Sequence, residues 1–362
     1  MAVKTGMLST FDIAENKVDV SPILNMLKLP GTPVLNTIGF GQAVTATTLE
    51  WWDDVLPVLS TTLGASYTSG ANSITVASTK GLRVGTIVQI DDTVYRVSAV
   101  SSDTVATVVL VSSADANHSN GVTVTILGHG AKQGEDYTDA DYTQKVKRSN
   151  VTQIYTDYLK YTGTQLAVQQ YVTEDVFLSE VKRKLERMMV WLERTIINGV
   201  KVAASDNTTP NLMGGIRYFI GANGQTASTT WSEDNFKALL KKIVDANGSI
   251  NNAWMHPTTV DKFLALNASK VIVQEKESAI GRVAKAYVSN YGEVNINVSN
   301  HIPASEILIF DPAKLKVRPL NGRAAFYEEL AKTGDSRKGQ IIGEYTLEFA
   351  NSDVAGRFTI TG

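Results

Sequence analysis

The stretch from Thr173 to Val200 carries the longest uninterrupted helical pattern in the chain, and it limits the folds open to the rest. One face of this pattern is an apolar stripe of Phe177, Val181, Leu185, Met188, Leu192 and Ile196. The opposite face carries Glu180, Lys182, Arg183, Glu186, Arg187, Glu193 and Arg194, and Glu180–Lys184 has the spacing of a favourable i,i+4 pair. Because the stripe is single and no heptads repeat, it predicts packing against a sheet, not a second helix.

Composition excludes several classes of protein. The chain has 362 residues, of which 43% are hydrophobic, so a large core can be buried. Its net charge of −2 gives no global attraction for nucleic acid. The absence of cysteine excludes disulfides and thiolate chemistry. No signal peptide and no run of roughly 18 apolar residues is present, which predicts a protein of a cytosol-like compartment, without a membrane span.

Residues 61–128 differ in composition from their surroundings. Short Val- and Thr-rich segments such as "GTIVQID", "TVYRVSAVS" and "GVTVTILG" alternate with Gly, Asp and Asn turns. Evenly spaced short strands of this kind predict a small barrel or sandwich, inserted into the larger chain.

The remaining segments predict an α+β protein. Pro22, Pro30 and Pro33 oppose both helix and central strand, so residues 1–45 are expected to form an extended arm. The segment "LMGGIRYFIG" is expected to be a turn into a strand, and "SEDNFKALLKKIVDANG" a helix capped by Ser232. The last segment alternates, with Tyr345, Leu347 and Phe349 on one face and polar residues on the other.

No catalytic, cofactor or metal site is predicted. The four histidines, His118, His129, His256 and His301, lack the spacing of a helical zinc pair and are expected in surface or turn positions. The acidic stretch "DYTDADY" lacks the Gly and closing Glu of a calcium loop. The stretch "AKTGDSRKG" is not a P-loop, and no Gly-x-Ser-x-Gly elbow exists. An arm, an insertion, a long helix and no catalytic constellation favour a protein whose function lies in its interfaces.

Several segments, in order, carry a resemblance to a known family. They are "TLEWWDDVL", "RSNVTQIYTDYLKYTGTQLA", "LERTIINGV", "LMGGIRYFI", "GRVAKAYVSNYGEVNINVSNHIP" and "LAKTGDSRKGQIIGEYTLEFANSDVAGRFTITG". Together they resemble tailed-bacteriophage major capsid proteins with the Hong Kong 97-type fold, specifically the SU-ten-like major capsid family, across about 300 residues.

The resemblance implies a division of the chain. It is an N-terminal arm (1–45), an extended loop (46–60 and 129–172), an inserted β-barrel-like domain (61–128), a peripheral domain with a spine helix (173–211 and 301–362) and an axial domain (212–300). The inserted domain is expected to project from the extended loop on the outer surface. Relatives with a fused scaffolding segment carry it ahead of the arm, and the start at Met1 leads us to expect a separate scaffold, if one is used.

The resemblance also implies the function. It is a major capsid protein that self-assembles, as hexamers and pentamers, into the icosahedral shell around the double-stranded DNA of a tailed phage. It would act in the virion capsid after assembly in the host bacterial cytoplasm. The implied partners are further copies, a portal, scaffolding or decoration proteins, and packaged DNA through non-specific contact. Candidate intersubunit contacts are Trp51, Trp52, Lys145, Lys147, Arg148, Tyr155, Tyr158, Glu328 and Glu329.

Two alternatives remain open at this stage. One is a phage tail or baseplate structural protein, because small inserted β domains also occur there. The other is a carbohydrate-binding or hydrolytic surface protein, which the β segment alone would permit although no acid pair supports hydrolysis.

Overall fold

The computed structural model describes residues 31–55, 57–112, 114–131, 133–134, 145–168, 176–264, 271–275 and 282–361. The chain divides into two compact units. The main unit comprises Met1–Trp52 and Lys147–Gly362, and the inserted unit is Asp53–Val146. The predicted calcium-loop-like stretch at 136–142 and the predicted helix start at Thr173 lie outside the described residues.

Within these ranges the α-helices are Pro33–Ile38, Gly163–Ala167, Val176–Asn198, Ile216–Asn223, Glu233–Asp245 and Pro257–Leu264, with 3-10 helices at Pro312–Lys314 and Ser352–Val354. The strands are β1 Thr48–Asp53, β2 Ser60–Thr62, β3 Ser73–Thr75, β4 Thr86–Ile90, β5 Thr93–Val100, β6 Val105–Leu110, β7 Thr123–His129, β8 Val146–Val151, β9 Gln153–Thr162, β10 Gln225–Thr229, β11 Asn252–Met255, β12 Val271–Glu275, β13 Arg282–Ser289, β14 Gly292–Val298, β15 Glu306–Ile309, β16 Leu315–Pro319, β17 Phe326–Leu330, β18 Ser336–Phe349 and β19 Gly356–Ile360.

The main unit contains two larger sheets and a ribbon. A four-stranded sheet is centred on β18, with β16 and β17 along one side and β9 along the other. A seven-stranded sheet has the order β10-β19-β15-β11-β14-β13-β12. Strands β1 and β8 form a two-stranded ribbon. Because β9 pairs with β18 over all ten of its residues, this part of the predicted extended loop belongs to the main sheet.

The long helix, Val176–Asn198, packs against a sheet, as the single stripe predicts. All six stripe residues are buried and share one core with Tyr155, Leu159 and Ile341 of β9 and β18. The helix Ile216–Asn223 packs on it as well. The sequence interpretation of that segment as a turn into a strand is wrong. Ile216, Phe219 and Ile220 are buried on the helical spacing instead.

Gly215 explains how this second helix starts so close to the first. A Cβ atom at Gly215 would lie 2.5 Å from the Thr195 carbonyl oxygen and 2.7 Å from that of Ile196. Only a residue without a side chain permits this approach of one backbone to the other.

Glu193 is not on a solvated face of the long helix, which corrects the sequence interpretation. Its side chain is completely buried. Its Oε1 accepts from the Val34 N–H at 3.1 Å and its Oε2 from the Leu35 N–H at 2.7 Å. Ser299 Oγ also donates to Oε1, at 3.4 Å. Burial raises the pKa of Glu193 to about 7, although these hydrogen bonds pull it downward.

The contact shows how a proline-rich segment forms a helix. Pro33 stands in the first turn of Pro33–Ile38, where a missing N–H costs nothing, and Thr32 supplies no side-chain cap. Glu193 satisfies the free N–H groups of that first turn from a distant element. The expectation that prolines exclude helix is therefore wrong at 33–38, whereas residues 1–30 of the predicted arm lie outside the described residues.

Lys184 also differs from its predicted role. Its Nζ lies 2.8 Å from Asp157 Oδ1 and 2.8 Å from the Tyr158 carbonyl oxygen, so it does not pair with Glu180. Arg187 donates from Nε to Asp157 Oδ2 at 3.0 Å. The long helix is thus tied to β9 by charge as well as by its apolar stripe.

The two C-terminal predictions are confirmed in part. Ser232 caps Glu233–Asp245 by accepting from the Asn235 N–H, and that helix buries Phe236, Leu239, Leu240 and Ile243 against the seven-stranded sheet. In β18 the residues Tyr345, Leu347 and Phe349 are buried, but so are Glu344 and Thr346 opposite. Glu344 accepts from Thr152 Oγ1 at 2.7 Å and from Arg323 Nε at 2.8 Å. Strand β18 is therefore buried on both faces here, not half exposed.

The inserted unit is a small barrel. Its sheet has the order β2-β7-β4-β5-β6-β3, and a bridge between Leu63 and Val76 joins the two end strands. Its core contains Ile74, Val88, Ile90, Tyr95, Val97 and Val124 among other residues. Closure pairs the strand edges that an open sheet would expose.

His118 is buried inside this unit, contrary to the expected surface or turn position. Its Nδ1 lies 2.8 Å from Asp91 Oδ2 and its Nε2 lies 3.1 Å from Tyr95 Oη. Tyr95 Oη donates to Asp115 Oδ1 at 2.5 Å, and the Gly70 N–H donates to Asp115 Oδ2 at 2.6 Å. The network fastens the connecting loops to the barrel.

Replacing Leu185 by Asp should prevent folding. The substitution places an unpaired carboxylate in the core between helix and sheet, at a cost above about 4 kcal/mol. The control is Glu186→Asp on the exposed face of the same helix. Circular dichroism and soluble yield are the measurements, and a Leu185→Asp chain that melts like the parent would contradict the packing.

Glu193 should make stability depend on pH in a defined window. Its folded pKa is raised from 4.5 to about 7, so between these values the folded state binds more protons than the unfolded state. Its contribution is present below pH 4.5 and is lost as pH rises towards about 7, by roughly 3 kcal/mol at 1.36 kcal/mol per pKa unit.

The measurement is denaturant unfolding of the parent and of Glu193→Gln across this window. The difference in unfolding free energy should change with pH for Glu193→Gln and stay flat for the exposed control Glu186→Gln. A flat difference for both variants would show that Glu193 does not titrate as its burial implies.

Candidate assembly surface

One face of the four-stranded sheet packs on the long helix; the opposite face is buried at Glu344 and Thr346 of β18 but exposed along β9. Period-two alternation places Tyr155 and Leu159 of β9 on the face that packs on the long helix. Tyr158, between them, points the other way and is 62% exposed. Ile154, on the same outer face, is 54% exposed.

The strand register extends this outer face across three strands. Gln340 of β18 stands opposite Tyr158 on one side and Glu328 on the other. In the next row Ile342 stands opposite Thr156 and Phe326. Apolar and polar side chains therefore alternate on the face opposite the long helix. We call the set Ile154, Tyr158, Phe326, Glu328, Gln340 and Ile342 the outer sheet face.

The β1–β8 ribbon holds a second exposed aromatic residue. Trp51 is buried, with its ring 5.7 Å from that of Phe219, whereas Trp52 is 64% exposed. The neighbouring residue on its face, Glu50, pairs with Lys147 at 2.6 Å. Adjacent residues of a strand face opposite sides, so one tryptophan lies in the core and the other on the surface.

The nine candidate contacts fall into three groups: core residues, residues bonded within the chain, and exposed residues. Trp51 and Tyr155 belong to the core of their own chain. Lys147 pairs with Glu50, Arg148 Nη1 donates to Asn223 Oδ1 at 2.6 Å, and Glu329 pairs with Arg337 at 2.9 Å. Trp52, Lys145, Tyr158 and Glu328 remain exposed. The exposed residues are therefore better placed than Trp51 and Tyr155 for contact with a neighbour, and the set as a whole stays a prediction.

Sequence reasoning missed Ile154, Phe326, Gln340 and Ile342. The alternation of "QIYTDYLKYT" already places Ile154 beside Tyr158, and that signal was present in the sequence. The residues of β17 and β18 join this face only through the strand register, which no local pattern encodes.

A metal-binding cluster and a membrane-spanning helix are both absent from the described residues. No group of three or more His, Asp or Glu side chains among them could hold a metal ion. In the same part of the chain, no helix combines the length and apolar character needed to cross a membrane.

Comparisons with known proteins agree on one architecture. A family model described as SU10 major capsid protein matches residues 5–361. The capsid of an empty GTA particle computed with C5 symmetry is similar with a TM-score of 0.52 at 9% identity, and the capsid of the native GTA particle with 0.50 at 9%. Each of these likenesses covers 92% of this chain and 92% of that chain.

A chain from Mycobacterium phage Adephagia is similar with a TM-score of 0.48 at 11% identity, over 98% of this chain and 99% of that chain. No curated protein matches the sequence. The match to the family model spans nearly the whole chain, and the two GTA likenesses agree with it in fold. The chain belongs to the SU10 major capsid protein family, with the Hong Kong 97-type capsid fold of a tailed-phage major capsid protein.

Proposed function

We propose that copies of this chain meet through the outer sheet face and the face of the β1–β8 ribbon that carries Trp52, forming hexamers and pentamers of an icosahedral shell around double-stranded DNA. The observation that carries this proposal is the outer sheet face. On it, Tyr158 and Ile154 are more than half exposed, and the partly buried Ile342 and Phe326 lie on the neighbouring strands. Exposed aromatic and aliphatic residues grouped on one surface are typical of interaction sites.

The division into domains follows the family resemblance. We propose that the N-terminal arm lies across neighbours, that the long helix is the spine of a peripheral domain, and that residues 212–300, which supply five strands of the seven-stranded sheet, form the axial domain. The inserted barrel would lie on the outer surface. Many modest contacts closing one shell give a collective stability that no single contact supplies.

The partners beyond further copies follow from the same resemblance. We propose a portal, separate scaffolding or decoration proteins, and sequence-independent contact with packaged DNA after assembly in the host cytoplasm. A net charge of −2 suits a container that must release its genome, because each phosphate contact made by a basic lining would add affinity.

Replacing Tyr158 by Asp should abolish shell formation and leave the subunit folded. Tyr158 is mostly exposed, so its loss should change the unfolding free energy by about 0.5 kcal/mol or less. Tyr158→Phe keeps the ring and should still assemble. Negative-stain microscopy and thermal melting are the measurements. If Tyr158→Asp still forms closed shells, the outer sheet face is not the interface. If the parent forms tubes or discs, the result favours a tail protein.

Deleting residues 2–30 should impair assembly and preserve folding. The deletion retains Val34 and Leu35, which are buried and bonded to Glu193. A longer deletion, of residues 2–40, removes them and should also lower the melting temperature. Melting curves and microscopy of both variants distinguish the two roles, and normal shells from the shorter deletion would refute the arm.

A further inference from the structure

Strand β9 is an edge strand in the described part of the chain. It pairs with β18 over ten residues on one side, and no described strand pairs with it on the other. A ten-residue free edge presents unpaired N–H and C=O groups and is a template for another strand. A protein made at high copy number and built to associate faces this hazard before it assembles.

The middle of this edge is blocked by side chains. The Tyr158 N–H donates to Asp157 Oδ1 at 2.9 Å, and Lys184 Nζ donates to the Tyr158 carbonyl oxygen at 2.8 Å. Both backbone groups of Tyr158 that point away from β18 are thereby occupied. Another strand could not continue past this residue without displacing Lys184.

The blocking group is held in place from the long helix. Lys184 Nζ also lies 2.8 Å from Asp157 Oδ1, and both side chains are largely buried. Arg187 Nε holds the second carboxylate oxygen at 3.0 Å. Burial raises the pKa of the Asp157 carboxyl, but its bonds to Arg187 and Lys184 outweigh burial and keep the pKa below its usual value. The carboxylate is therefore ionised at neutral pH and retains both cations.

We propose that Lys184, held by Asp157, guards the free edge of β9, so that unassembled subunits do not pair strand to strand. The device differs from an ordinary surface ion pair, because the lysine also bonds a backbone carbonyl that an incoming strand would need. Lysine residues on edge strands often prevent pairing with another strand, and in this protein the lysine comes from a neighbouring helix.

Arg187 provides a matched control. Lys184→Met and Arg187→Met each remove one positive charge from the same helix; the first removes one bond to Asp157 and the second removes two. Lys184→Met alone frees the Tyr158 carbonyl group. If the guard operates, Lys184→Met should lower the concentration at which the full-length chain forms thioflavin T-positive species by about tenfold, while Arg187→Met should not.

A second substitution tests the edge itself. Residues 156 and 158 share the direction of their backbone groups, so Thr156→Pro removes an outward N–H without breaking the ladder to β18. Adding Thr156→Pro to Lys184→Met should restore the parent's behaviour, with melting temperature monitored in every variant. The proposal is overturned if Lys184→Met aggregates like Arg187→Met or like the parent. It is also overturned if Thr156→Pro fails to rescue Lys184→Met, or if Lys184→Met merely unfolds.

Discussion

The packing of one helix face against one sheet face governs the main unit. The apolar stripe of Val176–Asn198 meets the inner side of β9 and β18, and this contact completes the core around Leu185, Met188 and Ile341. A sheet has two faces, and the helix covers only one. The other face exposes Tyr158 and Ile154 along β9. Under the assembly proposed above, folding and association use opposite sides of the same strands, so that a subunit is stable before it finds a neighbour.

Buried acids set the position of segments that hydrophobic packing alone would leave loosely oriented. Glu193 bonds the first turn of the helix Pro33–Ile38, Asp157 binds Lys184 and Arg187 of the long helix, and Glu344 joins Thr152 to Arg323. Each carboxylate receives at least two donors, which offsets the cost of removing it from water. These contacts are directional, whereas an apolar stripe tolerates some sliding and rotation. They fix the position of residues 31–38 and of strand β9 relative to the helix Val176–Asn198.

The elements that the sequence predicts well are those with a local period. The helical stripe, the Ser232 cap and the Val-rich strands of the insertion depend on spacing within a few residues, and all are present. Glu193 was misplaced because a charge in a helical pattern normally indicates solvent, and its partner Val34 lies 159 residues away in the chain. The helix Ile216–Asn223 is short and aromatic, so its conformation depends on packing against Val176–Asn198. The outer sheet face required the register between β9, β18 and β17.

Strand edges receive opposite treatments in the two units, and the difference follows from their geometry. The inserted barrel closes through the Leu63–Val76 bridge, so its strands find partners within the unit. The four-stranded sheet stays open in the described part of the chain, where β18 is flanked by β16 and β17 on one side and by β9 on the other. The edge of β9 is protected by side chains instead, because the helix Val176–Asn198 lies close enough for Lys184 to bond the Tyr158 carbonyl oxygen. A shell subunit needs faces that bind a neighbour and strand edges to which no further strand can be added. A free edge would permit open-ended growth in competition with a closed shell.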